Sequence, residues 1–348
     1  MTRTSDPKVS VIVLNYNGRH LLEECLESLL SQTYPAFEMI VVDNGSTDDS
    51  LPFLEERYHA RITLIKNSTN LGFAEGNNIG IAAAKGEYIA LLNNDAVADM
   101  HWLEELVSAA QGSDATFSMW ASKIMFYDRR DMIDTAGHLI YPDGLNRGRG
   151  KHEIDHGQYD TQEEVFFPSG CAALYAKKMI DEIGAFDRDF FAYGDDTDLG
   201  IKARLAGWKC FFVPASVVYH RSSATAGIYT PFKAYLVERN RIWVLIKYFP
   251  FWHIMISPWY TGVRLTLNAY AALTGKGAAG KFVEGSSGFH LLKILFRAYI
   301  DALKKLPLMI RKRREFRQHI RTTRSDFHVW LRKFKISAAE LALKDEEG

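Results

Sequence analysis

The sequence predicts an α/β fold around a parallel sheet, because short apolar runs alternate with amphipathic runs up to about residue 225. Four of the apolar runs have the length of strands, at residues 9–14, 37–42, 62–65 and 88–92. Between them lie three runs with the length of helices, at residues 19–32, 51–58 and 75–85. Strands and helices in this alternation are typical of a parallel sheet with helices on both faces.

Each element has a local reason in the sequence. The first run, VSVIVL, is apolar and rich in β-branched residues, which favours a strand. In the run 19–32 the apolar side chains recur at i, i+4 and i+8, which places them on one face of a helix. Gly86 ends the helix predicted over 75–85. Further along, we predict strands over 171–175 and 209–213 and a helix over 199–206.

The composition is that of a globular protein, with 348 residues of which 47% are hydrophobic and 24% charged. The formal net charge is zero, so the overall charge indicates no partner. The three cysteines, Cys25, Cys171 and Cys210, are far apart and show no CxxC spacing. Reduced thiols are therefore expected, and not a disulfide framework or a zinc site. No apolar signal segment precedes the first strand, so we expect this part of the chain to stay in the cytosol.

Polar residues follow each of the first four predicted strands. They are Asn15-Tyr16-Asn17, Asp43-Asn44-Gly45-Ser46, Lys66-Asn67 and Asn93-Asn94-Asp95. Ligands of parallel sheets bind beyond the carboxyl ends of the strands. Loops are polar for general reasons as well, but four such ends on one edge of a sheet favour a binding site.

Four segments carry a resemblance to a known family. In order they are VSVIVLNYNG (9–18), VVDNGSTDDS (41–50), NLGFAEGNNIGIAAAKGEYIALLNNDA (70–96) and YGDDTDLGIKARLAGW (193–208). Together they resemble family 2 of the inverting glycosyltransferases, and within it the rhamnosyltransferase-like branch that builds bacterial surface polysaccharides. The resemblance covers about residues 8–225. It implies a GT-A nucleotide-sugar-binding fold with a mixed, mostly parallel central sheet. It further suggests a catalytic domain over 1–225 and a helical region over 226–348.

The resemblance implies a divalent cation, Mn²⁺ or Mg²⁺, bound through the donor diphosphate. Charge on this leaving group must be neutralised, and hard cations prefer oxygen ligands. The family carries an acidic triplet, often Asp-x-Asp, where this chain has Asn93-Asn94-Asp95. We expect Asp95 to bind the metal and the two asparagines to offer neutral groups. His220 matches a family histidine that reaches the metal or diphosphate, and Arg221 with Ser222 and Ser223 would add phosphate contacts. An Asx turn at Asp95 and a structural role for His220 are the alternatives.

The resemblance also assigns nucleotide-sugar contacts. The predicted contacts beyond the first two strands are Asn15, Tyr16, Asn17, Asp43 and Ser46, with Asp43 accepting from the ring N–H of uracil or thymine. At the start of the third helix they are Asn70, Gly72 and Asn77, where free N–H groups suit a ribose or phosphate. Ser169 and Gly170 are expected under the donor sugar and acceptor. A turn at Asp43, a solvated Asn77 and a tight turn at residues 169–170 are the structural alternatives.

The acceptor hydroxyl needs a base to take its proton. Tyr193-Gly194-Asp195-Asp196-Thr197-Asp198-Leu199 matches the family pattern of an acidic pair followed by Asp-Leu. By that match Asp196 is the base and Asp195 its catalytic partner. Crowded carboxylates raise one another's pKa, which would suit a base near neutral pH. The alternative is that the acids complement the dipole of the helix that they open.

The region after residue 225 is aromatic, apolar and basic. Lys247, Pro250, His253 and Pro258 interrupt it before any run reaches the length of a transmembrane helix. Trp243, Trp252 and Trp259 would suit a membrane–water boundary. Residues 304–335 hold twelve Lys and Arg against two acids, an excess of ten. An anionic membrane surface is the favoured partner. A homodimer through these helices is the alternative, and nucleic acid is not expected.

These observations predict an inverting glycosyltransferase that acts at the cytoplasmic side of the inner membrane as a peripheral protein. The donor would be dTDP-rhamnose or a UDP-sugar. The acceptor would be a hydroxyl of a glycan linked to polyprenyl diphosphate, in surface polysaccharide or O-antigen synthesis. The alternative is a scaffold of a polysaccharide assembly complex that binds a nucleotide sugar without turnover.

Overall fold

The computed structural model describes residues 8–221, 230–275, 280 and 288–344. The strands are β1 (Val9–Asn15), β2 (Phe37–Asp43), β3 (Thr63–Lys66), β4 (Tyr88–Asn93), β5 (Ala96–Ala98), β6 (Phe117–Phe126), β7 (Ile133–Thr135), β8 (His138–Ile140), β9 (Asn146–Gly148), β10 (Glu163–Val165), β11 (Ala172–Ala176) and β12 (Lys209–His220). The helices are α1 (Arg19–Leu30), α2 (Ser50–Arg57), α3 (Gly72–Ala83), α4 (Trp102–Gly112), α5 (Lys177–Ile183), α6 (Asp195–Leu205), α7 (Pro231–Tyr248), α8 (Phe251–Thr274), α9 (Gly288–Lys304), α10 (Leu306–Phe316), α11 (Arg324–Lys333) and α12 (Ala338–Leu343).

The central sheet has ten strands, eight of them in the order β10-β12-β6-β11-β4-β1-β2-β3. β1 runs parallel to β2 and β4, and β12 runs parallel to β6. β11 lies antiparallel between β4 and β6, while β5 and β7 pair with β12 and β6 at the side. β8 and β9 form a separate hairpin. The mixed, mostly parallel sheet expected from the sequence is therefore confirmed.

Helices cover both faces of this sheet, which explains why β1 is apolar on both faces. Val11 and Val13 pack in one cluster, together with side chains of α1 and α4. Ile12 points to the opposite face, in a cluster with side chains of α3, α5 and α6. A strand buried on both sides needs a continuous apolar run, and this accounts for VSVIVL.

Several boundaries differ from the predicted ones, and each difference has a local cause. α3 begins at Gly72 and not at residue 75, since the Asn70 side chain accepts from the Gly72 N–H at 2.8 Å. α6 begins at Asp195, so the acids form its first turn. β12 continues to His220 through an irregularity between Val213 and Val217, where Pro214 would otherwise interrupt the ladder.

A third apolar cluster joins residues from both sides of residue 225. It packs Phe167, Phe190 and Ile201 against side chains of α7, α10 and α11. Trp243 of α7 belongs to this cluster with 1% of its surface exposed, and its indole N–H donates to the Ala302 carbonyl at 3.3 Å. The expectation that Trp243 faces a membrane boundary is therefore wrong, because the core of the protein encloses it.

The basic segment 304–335 finds acidic partners elsewhere in the chain. Four of its cations pair with acids that lie outside the segment: Lys305 with Asp189, Lys312 with Asp189, Arg321 with Glu182, and Lys333 with Glu164, at 2.6–3.0 Å. Part of the excess of ten counted in the sequence is thus balanced by acids within residues 164–189. Across residues 8–221, 230–275 and 288–344, no helix combines the length and the apolar character that crossing a membrane requires.

Candidate functional site

The carboxyl ends of β1, β2 and β4 meet at one edge of the sheet, which we call the rim. Asn15 is paired with Asp43 across β1 and β2, and Leu14 with Asn93 across β1 and β4. The buried Asn15 side chain donates to Asp43 at 3.0 Å and accepts from the Asn94 amide at 2.9 Å. Three of the four polar strand ends predicted from the sequence are thus tied into one network, and the fourth joins it where Asn67 donates to Asn44.

Within the rim, the β1 and β2 ends hold each other. Asp43 is 0% exposed, and its two carboxylate oxygens accept from Asn15 Nδ2 and from the Ser46 N–H. The Ser46 hydroxyl accepts from the Asn17 N–H at 2.9 Å, and Asn17 has a φ of +50°. Tyr16 is exposed beside them. The structure shows Asp43 shaping this turn, and its contact with a nucleotide base stays a prediction.

Asn44 organises the neighbouring part of the rim, and the sequence analysis gave it no role. Its amide nitrogen donates to the Asn70 side chain and to the Gly72 carbonyl, at 3.0 and 3.1 Å. Its oxygen accepts from the Asn67 side chain and the Leu71 N–H, at 3.0 and 3.1 Å. Asn44 therefore joins the ends of β2 and β3 to the start of α3.

Asn77 lies one turn further into α3. It is buried and donates to the Phe73 carbonyl of its own helix at 2.9 Å. Asn77 is therefore not the solvated helix residue of the structural alternative, because it is buried against its own helix. Its contact with a donor stays a prediction.

The predicted metal ligands Asp95 and His220 come together through β5 and β12. In this pairing His220 lies opposite Ala96, the residue after Asp95. His220 Nε2 is 3.3 Å from Asp95 Oδ1, and His220 Nδ1 lies 2.7 Å from Asp134 Oδ2. Lys151 pairs with Asp134 behind the histidine. Neither Asp134 nor Lys151 was identified from the sequence, because Asp134 on β7 and Lys151 in the turn after β9 belong to no recognisable motif.

His220 and Asp134 each shift the pKa of the other. Burial alone would lower the pKa of His220, but Cys171 and the neighbouring carboxylates of Asp95 and Asp134 raise it. Burial would raise the pKa of Asp134, yet Lys151 and His220 hold it well below its usual range. Asp134 therefore orients the imidazole toward Asp95, as carboxylates behind ligating histidines do.

The donor set suits a cation that takes most of its ligands from substrate and water. No group of three or more His, Cys, Asp or Glu side chains that could hold a metal occurs among the residues that the structure describes. One carboxylate and one imidazole remain, from Asp95 and His220. Mg²⁺ is commonly bound through one or two carboxylates together with substrate phosphates and water. The two side chains fit a metal bound together with a diphosphate.

The acids at the start of α6 have different surroundings. Asp196 is half-buried, and its Oδ1 accepts from the Thr197 N–H at 2.7 Å. Asp195 is buried, and burial together with the negative charges of Asp196 and Asp198 raises its pKa well above the usual range. Asp198 is fully buried and pairs with Lys247 of α7. Of the three acids, Asp196 is thus the accessible carboxylate.

His138 lies beside Asp196 and was not identified from the sequence. Its Nε2 is 4.0 Å from Asp196 Oδ2, and its ring stacks on Phe167 with centroids 5.0 Å apart. Burial lowers the pKa of His138. A neutral imidazole at this distance leaves Asp196 free of a tight ion pair.

The turn at residues 169–171 lies between the rim and α6. The Cys171 carbonyl accepts from the Asn93 N–H at 2.8 Å, and the Ser169 hydroxyl accepts from the Cys171 N–H at 3.2 Å. A Cβ atom on Gly170 would lie 3.7 Å from Asp196 Cβ and 3.2 Å from the Phe73 ring. The turn thus reaches the end of β4 on one side and Asp196 on the other.

Tyr193 supports the same arrangement. Burial raises the pKa of Tyr193, and the negative charges of Asp195 and Asp95 raise it further. Tyr193 thus lies within electrostatic reach of a carboxylate from the rim and one from α6. Arg221 donates from its N–H to the Asp95 carbonyl at 2.9 Å, while its guanidinium pairs with Glu24. Ser222 and Ser223 lie outside the described residues.

Comparison with known proteins agrees with this architecture. Residues 10–184, half of the chain, match the sequence model of Glycosyl transferase family 2. WfaP of Escherichia coli, a UDP-Glc:alpha-D-GlcNAc-diphosphoundecaprenol beta-1,3-glucosyltransferase, is 33% identical over 40% of this chain and 54% of WfaP. The O-antigen biosynthesis protein RfbC of Myxococcus xanthus is 30% identical over 63% of this chain and 18% of RfbC. An uncharacterized glycosyltransferase of Haemophilus influenzae is 39% identical over 32% of this chain and 36% of that protein. In each case the match spans less than two thirds of the relative.

Two solved structures share the fold. The mannosyltransferase PcManGT of Pyrobaculum calidifontis, in complex with GDP-Man and Mn²⁺, superimposes with a TM-score of 0.51 at 20% identity, covering 87% of this chain and 88% of PcManGT. S. aureus TarS 1-349 in complex with UDP gives a TM-score of 0.50 at 18% identity, covering 92% and 91%. The likeness shows a GT-A-like α/β fold. Together with the match over residues 10–184, it places the chain in glycosyl transferase family 2.

Proposed function

We propose that the protein is an inverting glycosyltransferase that moves a sugar from a nucleotide diphosphate to a glycan hydroxyl in the synthesis of a cell-surface polysaccharide. The proposal rests on one observation. The turn at residues 169–171 bonds to the end of β4 on one side and approaches Asp196 on the other. A diphosphate held at Asp95 and a hydroxyl held at Asp196 would then face the same sugar. Binding alone would not need an accessible carboxylate at Asp196.

In this proposal each side chain has one task. Asp196 accepts the proton of the acceptor hydroxyl while that oxygen bonds to the anomeric carbon. The bond from the anomeric carbon to the diphosphate breaks on the opposite face, so the configuration inverts. Asp95 and His220 would hold Mn²⁺ or Mg²⁺, which neutralises charge on the departing diphosphate. Gly170 lets the turn pack closely beside Phe73 and Asp196, since a Cβ there would already lie 3.2 Å from the Phe73 ring.

For the donor we propose a UDP- or dTDP-linked sugar, with dTDP-rhamnose as the case that the sequence resemblance favours. The rim supports a nucleotide because it offers Tyr16 as an exposed ring beside the polar ends of β1 and β2. The name of the relative WfaP specifies UDP-Glc and an acceptor on diphosphoundecaprenol. We extend this to a polyprenyl-diphosphate-linked acceptor for the present chain.

A thermal-shift screen with UDP- and dTDP-sugars, with and without Mn²⁺, tests the donor proposal. A true donor should raise the melting temperature, because a ligand that binds only the folded state stabilises it. The shift should be larger with Mn²⁺, and Asp95→Asn should remove the Mn²⁺-dependent part.

The nucleotide-sugar scaffold predicts a different pattern. The donor would still bind, but neither transfer nor donor hydrolysis would accompany binding with any metal. Such a result, or the same shift with Asp95→Asn as with the parent protein, would contradict the proposal.

We propose further that α9 docks the protein on an anionic membrane surface, as a peripheral contact on the cytoplasmic side. The outward face of α9 exposes Phe289, Leu292, Phe296, Ile300 and Leu303, between 37% and 70% of each side chain. Lys293, Arg297 and Lys304 lie beside this stripe, and Arg297 and Lys304 are largely exposed. Asp301, the acid of this helix, pairs with Lys304. An apolar stripe bordered by cations suits anionic lipid and the interfacial region beneath it.

Substituting Leu292→Glu and Phe296→Glu together should abolish sedimentation with vesicles of phosphatidylglycerol and phosphatidylethanolamine, because two acids replace the centre of the stripe. Val329→Glu, at an exposed apolar position of α11, is the matched control and should leave sedimentation unchanged. Molecular mass by light scattering distinguishes the alternative. A parent dimer that becomes a monomer on the double substitution, with no vesicle binding by the parent protein, would support a homodimer interface instead.

A further inference from the structure

The segment that leads into Asp195 and Asp196 has a strained backbone. Phe191 has φ +68° and ψ −65°, and the Ala192 N–H donates to the Phe190 carbonyl at 2.9 Å. This is a γ-turn of the rare and strained hand. Tyr193 follows with φ +64°, in the left-handed region that residues with a Cβ seldom adopt. Two such residues within five positions of the proposed base cost free energy that the surroundings must offset.

Asn240 of α7 holds this segment from one side. It is 0% exposed, and its amide nitrogen donates to the carbonyls of Phe190, Ala192 and Tyr193 at 3.1, 2.9 and 2.6 Å. The Asn240 oxygen accepts from the Arg239 guanidinium at 2.8 Å, which fixes the orientation of the amide. All the bonds that Asn240 donates from its side chain go to the strained segment.

The start of α3 holds the segment from the other side. The Phe191 carbonyl accepts from the Ala74 N–H at 3.2 Å. Gly72 has a φ of +82°, and a Cβ there would lie 2.5 Å from the Phe191 carbonyl oxygen. The γ-turn thus lies between α7 and the part of the rim where we place the donor. Its exit, at Gly194, leads directly into the first turn of α6.

We infer that Asn240 is a positioning residue for the transfer reaction, acting through residues 190–194 to set the place of the Asp196 carboxylate. The inference rests on the proposed function, since it assigns the same base. Asn240 bonds backbone carbonyls and contacts no reacting atom. Without its two N–H groups the segment can relax to a negative φ, and the first turn of α6 moves with it. A displacement of about 1 Å at a catalytic group is enough to lower a rate by about a hundredfold.

Kinetics of Asn240→Ala in the full-length protein test this inference. The turnover number for transfer should fall by at least about tenfold, while the dissociation constant of the nucleotide changes less than about twofold. The ratio of transfer to donor hydrolysis should fall as well. Attack by water on the anomeric carbon depends less on the position of the base than attack by the acceptor hydroxyl does. Tyr299→Phe is the matched control: it removes an acceptor of Arg241 on the neighbouring face of α7 and leaves residues 190–194 untouched. It should keep full turnover.

A second substitution keeps the test decisive if Asn240→Ala does not fold. Asn240→Ser retains one donor and should show a smaller loss in the same direction. Glycine adopts a positive φ readily, so the effect of Asn240→Ala or Asn240→Ser should be smaller when Phe191→Gly is also present. An active parent protein whose Asn240 variants turn over like Tyr299→Phe would overturn the inference. An inactive parent protein would instead overturn the proposed function.

Discussion

Asp196→Asn should lower the rate of glycosyl transfer by about 10²–10⁴-fold, the contribution expected of a general base. The amide has almost the same shape as the carboxylate and can still accept from the Thr197 N–H, so the start of α6 should keep its structure. It cannot take the proton of the acceptor hydroxyl. Binding of the nucleotide sugar should persist, since the rim lies on the other side of the turn at residues 169–171.

Two measurements check this prediction, the turnover number and the dissociation constant of the donor by calorimetry. Asp181→Asn provides the control, because Asp181 is an exposed acid of α5 that pairs with Lys177. It should leave both quantities unchanged. Full turnover by Asp196→Asn would refute the assignment of the base, whatever happens to binding.

Lys247→Met should destabilise the folded protein by about 3–5 kcal/mol, the cost of leaving a buried charge without its partner. Lys247 is 5% exposed and pairs with both Asp198 and Asp187, the first of which is 0% exposed. Burial would raise the pKa of Asp187, but Lys247 and Lys312 hold it well below its usual range. Removing Lys247 leaves Asp187 with Lys312 but takes from the buried Asp198 its ion-pair partner.

Denaturant unfolding of the parent and variant proteins measures the effect. Lys304→Met is the matched control, since Lys304 makes an ion pair with Asp301 at the surface. Exposed pairs contribute little, so the control should lose less than about 1 kcal/mol. A Lys247→Met variant as stable as Lys304→Met would show that Asp187 and Asp198 do not need a buried cation.

Much of the sheet domain could be predicted because its signals are local. A strand buried on both faces, such as β1, must be apolar throughout, and this pattern is visible without knowledge of its neighbours. The helix boundaries were harder to predict from the sequence, because the start of α3 depends on the side chain of Asn70 in the preceding loop. The antiparallel position of β11 between β4 and β6 depends on pairing over long distances in sequence, which no local pattern records.

In the candidate site, too, the residues in local motifs could be predicted and those placed by tertiary packing could not. Asp95 and Asp196 lie in motifs that resemble those of the family, so both could be named before the fold was known. Asp134 and His138 could not, since each reaches the site through tertiary packing alone. Asn44 is part of a quoted motif, but its role depends on four partners within residues 67–72, between the end of β3 and the start of α3.

In the C-terminal region, Trp243 and Lys312 differ from the sequence-based expectation for a physical reason. Composition counts charges along the chain, whereas ion pairs form across it. Lys312 was counted as part of a lipid-binding excess, yet it contacts Asp187 and Asp189. Trp243 belonged to an aromatic segment and yet lies in the core.

The packing of residues 187–198 against α7 has a practical consequence for enzyme engineering. Chimeras that exchange acceptor preference between relatives are tempting to join where the family match ends, after residue 184, or at the composition change near residue 225. A junction after residue 184 takes Asp187, Asp198 and Lys247 from the same parent, but a junction near residue 225 would pair one parent's Asp187 and Asp198 with the other parent's α7. A crossover placed after Tyr248, the last residue of α7, would take Asp187, Asp198 and Lys247 from a single parent.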